Sequence, residues 1–180
     1  MRGIRWVACT GFLLLSSVLS SCNDDDGHPI HGFIDAQGDW VIPPRFDDVG
    51  PFMEGLAAAK QGERWGYIDM RGDWVIEPQF GLAEPFSEGL AEVKIGEQFA
   101  FIDGRGNLLF DRRFASTGAF SGGVAPILTD KKKWGLIDRR GAFVLEPVLD
   151  QIENCTEIWW NRTACFSGGL MAAKVDQLWG

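Results

Sequence analysis

The chain is 180 residues long and carries 17 basic against 25 acidic side chains, a formal net charge of −8. Nucleic-acid binding needs a basic stripe to neutralise phosphates, so an acidic chain disfavours that class, and attraction to anionic lipid headgroups with it. Cations and basic partners suit such a surface without being specified by it.

The N-terminus stands apart from the rest. Arg2 and Arg5 open the chain, and residues 7–19 are mostly apolar but too short to span a bilayer comfortably. The run ends Leu19-Ser20-Ser21-Cys22. This resembles the lipobox of bacterial lipoproteins, in which small residues precede a cysteine that is lipidated and becomes the mature N-terminus. The resemblance implies a signal peptide over residues 1–21, lipidation at Cys22, and a lipid anchor in the cell envelope, inner or outer membrane unspecified. An ordinary secretory signal or an uncleaved anchor is the alternative. Without Arg2 and Arg5, 15 basic residues face 25 acidic ones, a charge of −10. The remaining residues 22–180 suffice for one domain that buries about two-thirds of its unfolded surface.

Residues 22–31 read as a flexible tether, with Gly27 and Pro29 breaking regular structure. His28 and His31 beside Asp24, Asp25 and Asp26 offer imidazole and carboxylate groups, both competent divalent-metal ligands. Ligands in a flexible linker must be ordered on binding, so a solvated linker is the preferred reading, and no metal or cofactor is expected.

From Gly32 onward one pattern recurs. It starts at Gly32 (GFIDAQGDWVIPPRF), Gly66 (GYIDMRGDWVIEPQF), Ala100 (AFIDGRGNLLFDRRF) and Gly135 (GLIDRRGAFVLEPVL). A fixed period of this length means one supersecondary unit stacked several times, here as copies 32–65, 66–99, 100–134 and 135–179. Each copy contains three strand-like runs. Residues 90–95 match 56–60, 124–128 and 170–175; residues 99–103 match 65–69 and 134–138; residues 73–76 match 39–42, 107–110 and 142–145. Between the second and third runs lies Asp-x-x-Gly, led by Asp35, Asp69, Asp103 and Asp138. Asp at the first position and Gly at the fourth predict a type I turn whose carboxylate caps backbone amides. That structural role outweighs a metal or acid–base one.

The fold class follows. It is all-β, with tandem three-stranded antiparallel β-meanders, each followed by a return segment of about a dozen residues. An open β-solenoid-like array is expected. A closed propeller-like ring is the alternative, because the chain enters at the second strand of a unit and leaves after the first strand of another. Recurring apolar positions predict a continuous core ladder: Phe46, Phe80, Phe114 and Leu149; Phe52, Phe86, Phe120 and Phe166; Trp65, Phe99, Trp134 and Trp179; Trp40, Trp74, Leu108 and Phe143. A Trp replaced by Leu or Phe in a sister copy reads as a space-filler.

Trp65-Gly66-Tyr67-Ile68-Asp69, Asp73 to Pro78 (DWVIEP), Glu88-Gly89-Leu90-Ala91 and Lys133-Trp134-Gly135 resemble the WG-repeat family, also called KWG repeats. The resemblance covers Gly32 to Gly180. It implies a β-rich bacterial repeat protein, often exported, with a role in binding and no established general reaction. Two copies depart from the pattern: His31-Gly32 replaces Trp-Gly in the first, and Phe99-Ala100 in the third. The third copy also lacks Glu-Pro, reading Phe110-Asp111-Arg112-Arg113.

The fourth copy carries an insertion between Leu149 and Phe166. In an oxidising compartment Cys155 and Cys165 are expected to pair, which stabilises by about 3 kcal/mol if unstrained. Between them stand Glu157, Trp159, Trp160 and Arg162, the candidate binding residues, because aromatic and Arg side chains dominate binding hot spots. The alternative is a loop that lids the core. Catalysis finds little support. Neither histidine lies beyond residue 31, and zinc spacings, phosphate loops and calcium repeats are missing. Only a carboxylate pair drawn from Glu54, Glu77, Glu88 and Glu146 could support glycan hydrolysis. The expected function is a membrane-anchored, non-catalytic envelope module that presents its β-repeat surface to a protein or glycan. The alternatives are a structural envelope component and, last, a hydrolase.

Overall fold

The computed structural model describes residues 30–152 and 173–174. Every regular element among them is a β-strand. In chain order these are β1 (His31–Ile34), β2 (Trp40–Phe46), β3 (Asp48–Val49), β4 (Ala57–Gln61), β5 (Arg64–Ile68), β6 (Trp74–Phe80), β7 (Leu82–Ala83) and β8 (Leu90–Ile95). There follow β9 (Gln98–Asp103), β10 (Ser116–Thr117), β11 (Val124–Leu128), β12 (Trp134–Asp138), β13 (Phe143–Leu149), β14 (Gln151–Ile152) and β15 (Ala173–Lys174). They form five antiparallel sheets with strand orders β1-β2, β3-β4-β5-β6, β7-β8-β9, β10-β11-β12-β13 and β14-β15.

The three-stranded meander is present, but the structural unit is larger than the sequence suggests. Each return segment donates a short strand (β3, β7, β10 or β14) to the edge of the following sheet, so the full unit has four strands. The register of that edge is constant: Asp48 pairs with Lys60, Leu82 with Lys94, Ser116 with Leu128 and Gln151 with Lys174. Turn chemistry sets the hairpins. Glu54-Gly55 and Glu88-Gly89 have positive φ at both central positions, the geometry of a type I′ turn that matches strand twist.

The glycine of each Trp-Gly pair has a steric reason. The strand facing Gly66 bulges: Trp65 pairs with Phe80, and Tyr67 with Ile76. The bulged backbone crosses directly over Gly66. A Cβ there would lie 2.8 Å from Pro78 N and 2.9 Å from Glu77 C, and closer still to Ile76 O. The same holds at Gly32 beneath Pro43–Pro44, and at Gly135, where Leu145 O would be 2.7 Å away. Trp-Gly and x-Pro are therefore two halves of one device, a bulge and the hollow that admits it. In the third copy both are missing together. Ala100 is fully buried, and the predicted strand over 107–110 does not form. Only the isolated bridges Phe99–Phe114 and Ile102–Leu108 remain, with Leu109 N donating to Phe101 O at 2.9 Å.

Consecutive sheets stack face to face, and three apolar clusters fill the interfaces. Ile42 and Phe46 of β2 meet Ala57, Ala59 and Ile68. Ala58, Tyr67, Ile76 and Phe80 meet Ala91, Val93, Ala100 and Ile102. Leu90 and Phe101 meet Ala125, Ile127 and Ile137. Alternate residues of β4 thus serve opposite interfaces, as period-two side chains must, which explains why Ala57, Ala58 and Ala59 are all buried.

The core ladder holds at Phe46, Phe80, Phe114 and Leu149, and at Phe86 and Phe120, all buried. It is incomplete elsewhere. Phe52, Trp65, Phe99, Trp134, Trp74 and Phe143 are half-buried, while Trp40 and Leu108 are exposed. Trp74 packs edge-on against Phe46 of the preceding sheet, ring centroids 5.5 Å apart. Leu108 loses its place where the third-copy strand fails to form. Phe166 and Trp179 lie outside the described residues. Among the described residues β1 pairs with β2 and β15 with β14, so the array is open rather than closed into a ring.

Candidate interaction surface

The repeated acids are occupied by structure. Each Asp of Asp-x-x-Gly accepts the amides two and four residues ahead: Asp35 from Gln37 and Asp39, Asp69 from Arg71 and Asp73, Asp103 from Arg105 and Asn107, Asp138 from Arg140 and Ala142, all at 2.8–3.0 Å. Slight burial pushes the Asp103 carboxyl up. Hydrogen bonds from Asn107 and Arg105, with the Arg105 charge, outweigh it and hold the group below the usual carboxylate range. The Tyr67 phenol is raised well above its ordinary value by burial and by the nearby Glu84 and Glu92 charges, and it donates to Glu84 O at 2.7 Å.

Two further acids join neighbouring sheets. Glu54 accepts from Gly89 N at 2.8 Å, and Glu88 from Gly122 N at 2.6 Å and Gly123 N at 2.9 Å. Both glutamates hold a positive φ, near 54° and 55°, which favours glycine. Glu is kept there because its carboxylate clips the next turn. In the third copy the position is Gly122, so among the described residues the series ends with Glu88.

Arginines clip the same end from the other side. Arg45 donates to Gly72 O, Arg112 to Gly141 O at 3.3 Å, and Arg139 to Glu88 O at 2.6 Å. What these bonds leave outward is a row that the overall charge concealed. The third turn position is Gln37, Arg71, Arg105 and Arg140, all exposed. The turns come from consecutive stacked sheets, so the turns that carry these three arginines repeat at about the 10 Å spacing of packed sheets. The signal was present as Asp-x-Arg-Gly in three copies, Asp69 to Gly72, Asp103 to Gly106 and Asp138 to Gly141, but a net charge averages it away. The first two copies, 32–99, carry 13 acids and 5 bases, a net of −8, whereas residues 100–152 carry 6 acids and 8 bases, a net of +2.

The candidate binding residues Glu157, Trp159, Trp160 and Arg162, the cysteines Cys155 and Cys165, and Cys22 lie outside the described residues. The insertion joins Ile152 to Ala173, which pair with each other. In the interior sheets the corresponding connections, 84–89 and 118–123, lie at the end that carries the Glu-Gly and Asp-x-x-Gly turns. Glu77 and Glu146, the other acids considered for hydrolysis, are exposed on β6 and β13.

Comparison with known proteins returns one family. The WG containing repeat matches residues 32–65, 65–98, 99–132 and 134–157. A search of curated proteins finds no match. The four matched segments cover most of the chain, and the chain belongs to the WG-repeat family.

Proposed function

We propose that the chain is a non-catalytic binding module of the bacterial envelope, anchored through a lipidated Cys22, and that its turn-bearing end engages an anionic protein or glycan. The row Arg71, Arg105 and Arg140 carries this reading: three exposed guanidinium groups on rigid, hydrogen-bonded turns at repeat spacing. Arg presents a planar fork of donors suited to carboxylates, and a regular row matches a polymer with regularly spaced charges. Trp159, Trp160 and Arg162 of the insertion, which lie outside the described residues, are the residue types that would add an apolar anchor to a charged track. The acids that a hydrolase would need are partly committed elsewhere, Glu54 and Glu88 to neighbouring turns.

Retention of the full chain on immobilised polygalacturonate and polyglutamate, against neutral dextran, tests the proposal. Binding to one acidic polymer should be lost at moderate salt in the Arg71→Ala, Arg105→Ala, Arg140→Ala triple variant. Equal retention on dextran, or retention unchanged in the triple variant, refutes it. A Trp159→Ala, Trp160→Ala variant reports the contribution of the loop separately.

A further inference from the structure

We propose that the chain associates head to tail with a second copy of itself, β1 of one molecule adding beside β15 of the next, so that two partial sheets make one complete four-stranded unit. The partial sheets are complementary halves. β14-β15 has the register of the first two strands of a unit, with Gln151 opposite Lys174 and Ile152 opposite Ala173, as Asp48 lies opposite Lys60 and Val49 opposite Ala59. β1-β2 has the register of the last two, with His31 opposite Phe46 as Trp65 lies opposite Phe80. In the interior these halves join through Lys60–Trp65 and Ala59–Gly66. The same join between molecules places Lys174 opposite His31 and Ala173 opposite Gly32.

The side chains around the join tell the same story independently. Ile68, Ile102 and Ile137 are 0% exposed, yet Ile34 at the identical repeat position is 58% exposed, and Trp40 is 49% exposed where Trp74 packs on Phe46. A Cβ at Gly106 would touch Ile76 of the sheet before it, and one at Gly141 would touch Phe110, while Gly38 meets nothing within 4 Å. The first sheet therefore presents a face built to receive a preceding sheet. The last complete sheet offers the matching face: Leu145 is half-buried where its counterparts Ile42 and Ile76 are buried. In the composite, Leu145 and Leu149 of one molecule cover Ile34 and Trp40 of the next. The net charge of −8 over residues 32–99 against +2 over 100–152 favours that polarity. Such a contact is heterologous, so it extends the array and multiplies the arginine row. Among the described residues β1 and β15 each pair on one side only, and an unpaired strand edge beside an apolar face is the physical requirement for strand addition.

Two differently tagged full-length chains, one with His31→Cys and one with Lys174→Cys, test this on oxidation. Residues opposite each other across an antiparallel pair have Cα atoms about 4.5–5.5 Å apart, within disulfide range. Mixed-tag dimers linked through these positions are expected, and they should vanish when either residue is left native. Ile34→Asp with Trp40→Asp should lower their yield about tenfold or more, equivalent to 1.4 kcal/mol or more. Both residues are exposed, so the circular dichroism spectrum should be retained. The proposal is overturned by absence of mixed-tag dimers, by a chain carrying both cysteines linking only within itself, or by a yield indifferent to Ile34 and Trp40.

Discussion

The carboxylate of Glu88 accepts the amide of Gly123, 35 residues ahead, at 2.9 Å, and its second oxygen takes Gly122 N at 2.6 Å. One acidic side chain thus holds the second copy to the third at their turns, at the expense of a left-handed backbone. In stacked repeats the terms that couple neighbours decide whether the array unfolds as a unit. Glu88→Ala removes a charge-assisted pair and should destabilise by about 1.5–3 kcal/mol. It should also broaden the urea transition as the sheets uncouple. Glu88→Gly should cost less, because glycine relieves the positive φ while losing the same bonds. If Ala and Gly variants unfold alike, backbone strain at this position is negligible.

Gly66 and Ala100 occupy one repeat position with opposite steric demands. Gly66→Ala drives a methyl group into the backbone of residues 76–78, which cannot move aside as a side chain can. The expected cost is about 3 kcal/mol, seen as a lowered midpoint in chemical denaturation. Ala100→Gly, where the bulge is missing, should cost about 0.5–1 kcal/mol from backbone entropy. Similar costs at the two sites would disprove the coupling between Trp-Gly and x-Pro.

Ile34 and Ile68 test the stacking. Ile68→Ala opens a cavity between sheets and should cost about 2–5 kcal/mol. Ile34→Ala on dilute protein should change stability by less than about 0.5 kcal/mol. The comparison is made by urea unfolding at low and high protein concentration. A gap that narrows as concentration rises is expected, because the Ile34 face is then covered.

Asp103 sets a pH dependence of known sign. Its folded-state pKa is depressed, so its contribution is fully present above the unfolded-state value and is lost as pH falls through the folded one. Asp103→Asn keeps an oxygen for the turn amides but cannot ionise. The variant should lose less stability than the parent chain between about pH 4 and pH 2, the range just below an ordinary Asp pKa near 3.9. Parallel acid-unfolding curves for the two proteins would remove Asp103 from this role.

The residues from Gly32 onward determined much of this protein by themselves. The period, the Asp-x-x-Gly turns and the Trp-Gly signature each act over a few bonds, and local backbone sterics express them wherever they occur. Strand positions such as 90–95 and 124–128 were legible for that reason. The tertiary structure alone decided what each element meets. The fourth strand of each unit comes from a return segment too short to carry its own periodicity. The length of β6 and β13 beyond the predicted 73–76 and 142–145 depends on a glycine of the strand paired with each, Gly66 or Gly135. The clip role of Glu88 and Glu54 was not legible, because their partners lie a full repeat ahead. Trp40 matches Trp74 in sequence and differs from it in burial, since burial depends on which sheet precedes it and on nothing in the residue itself.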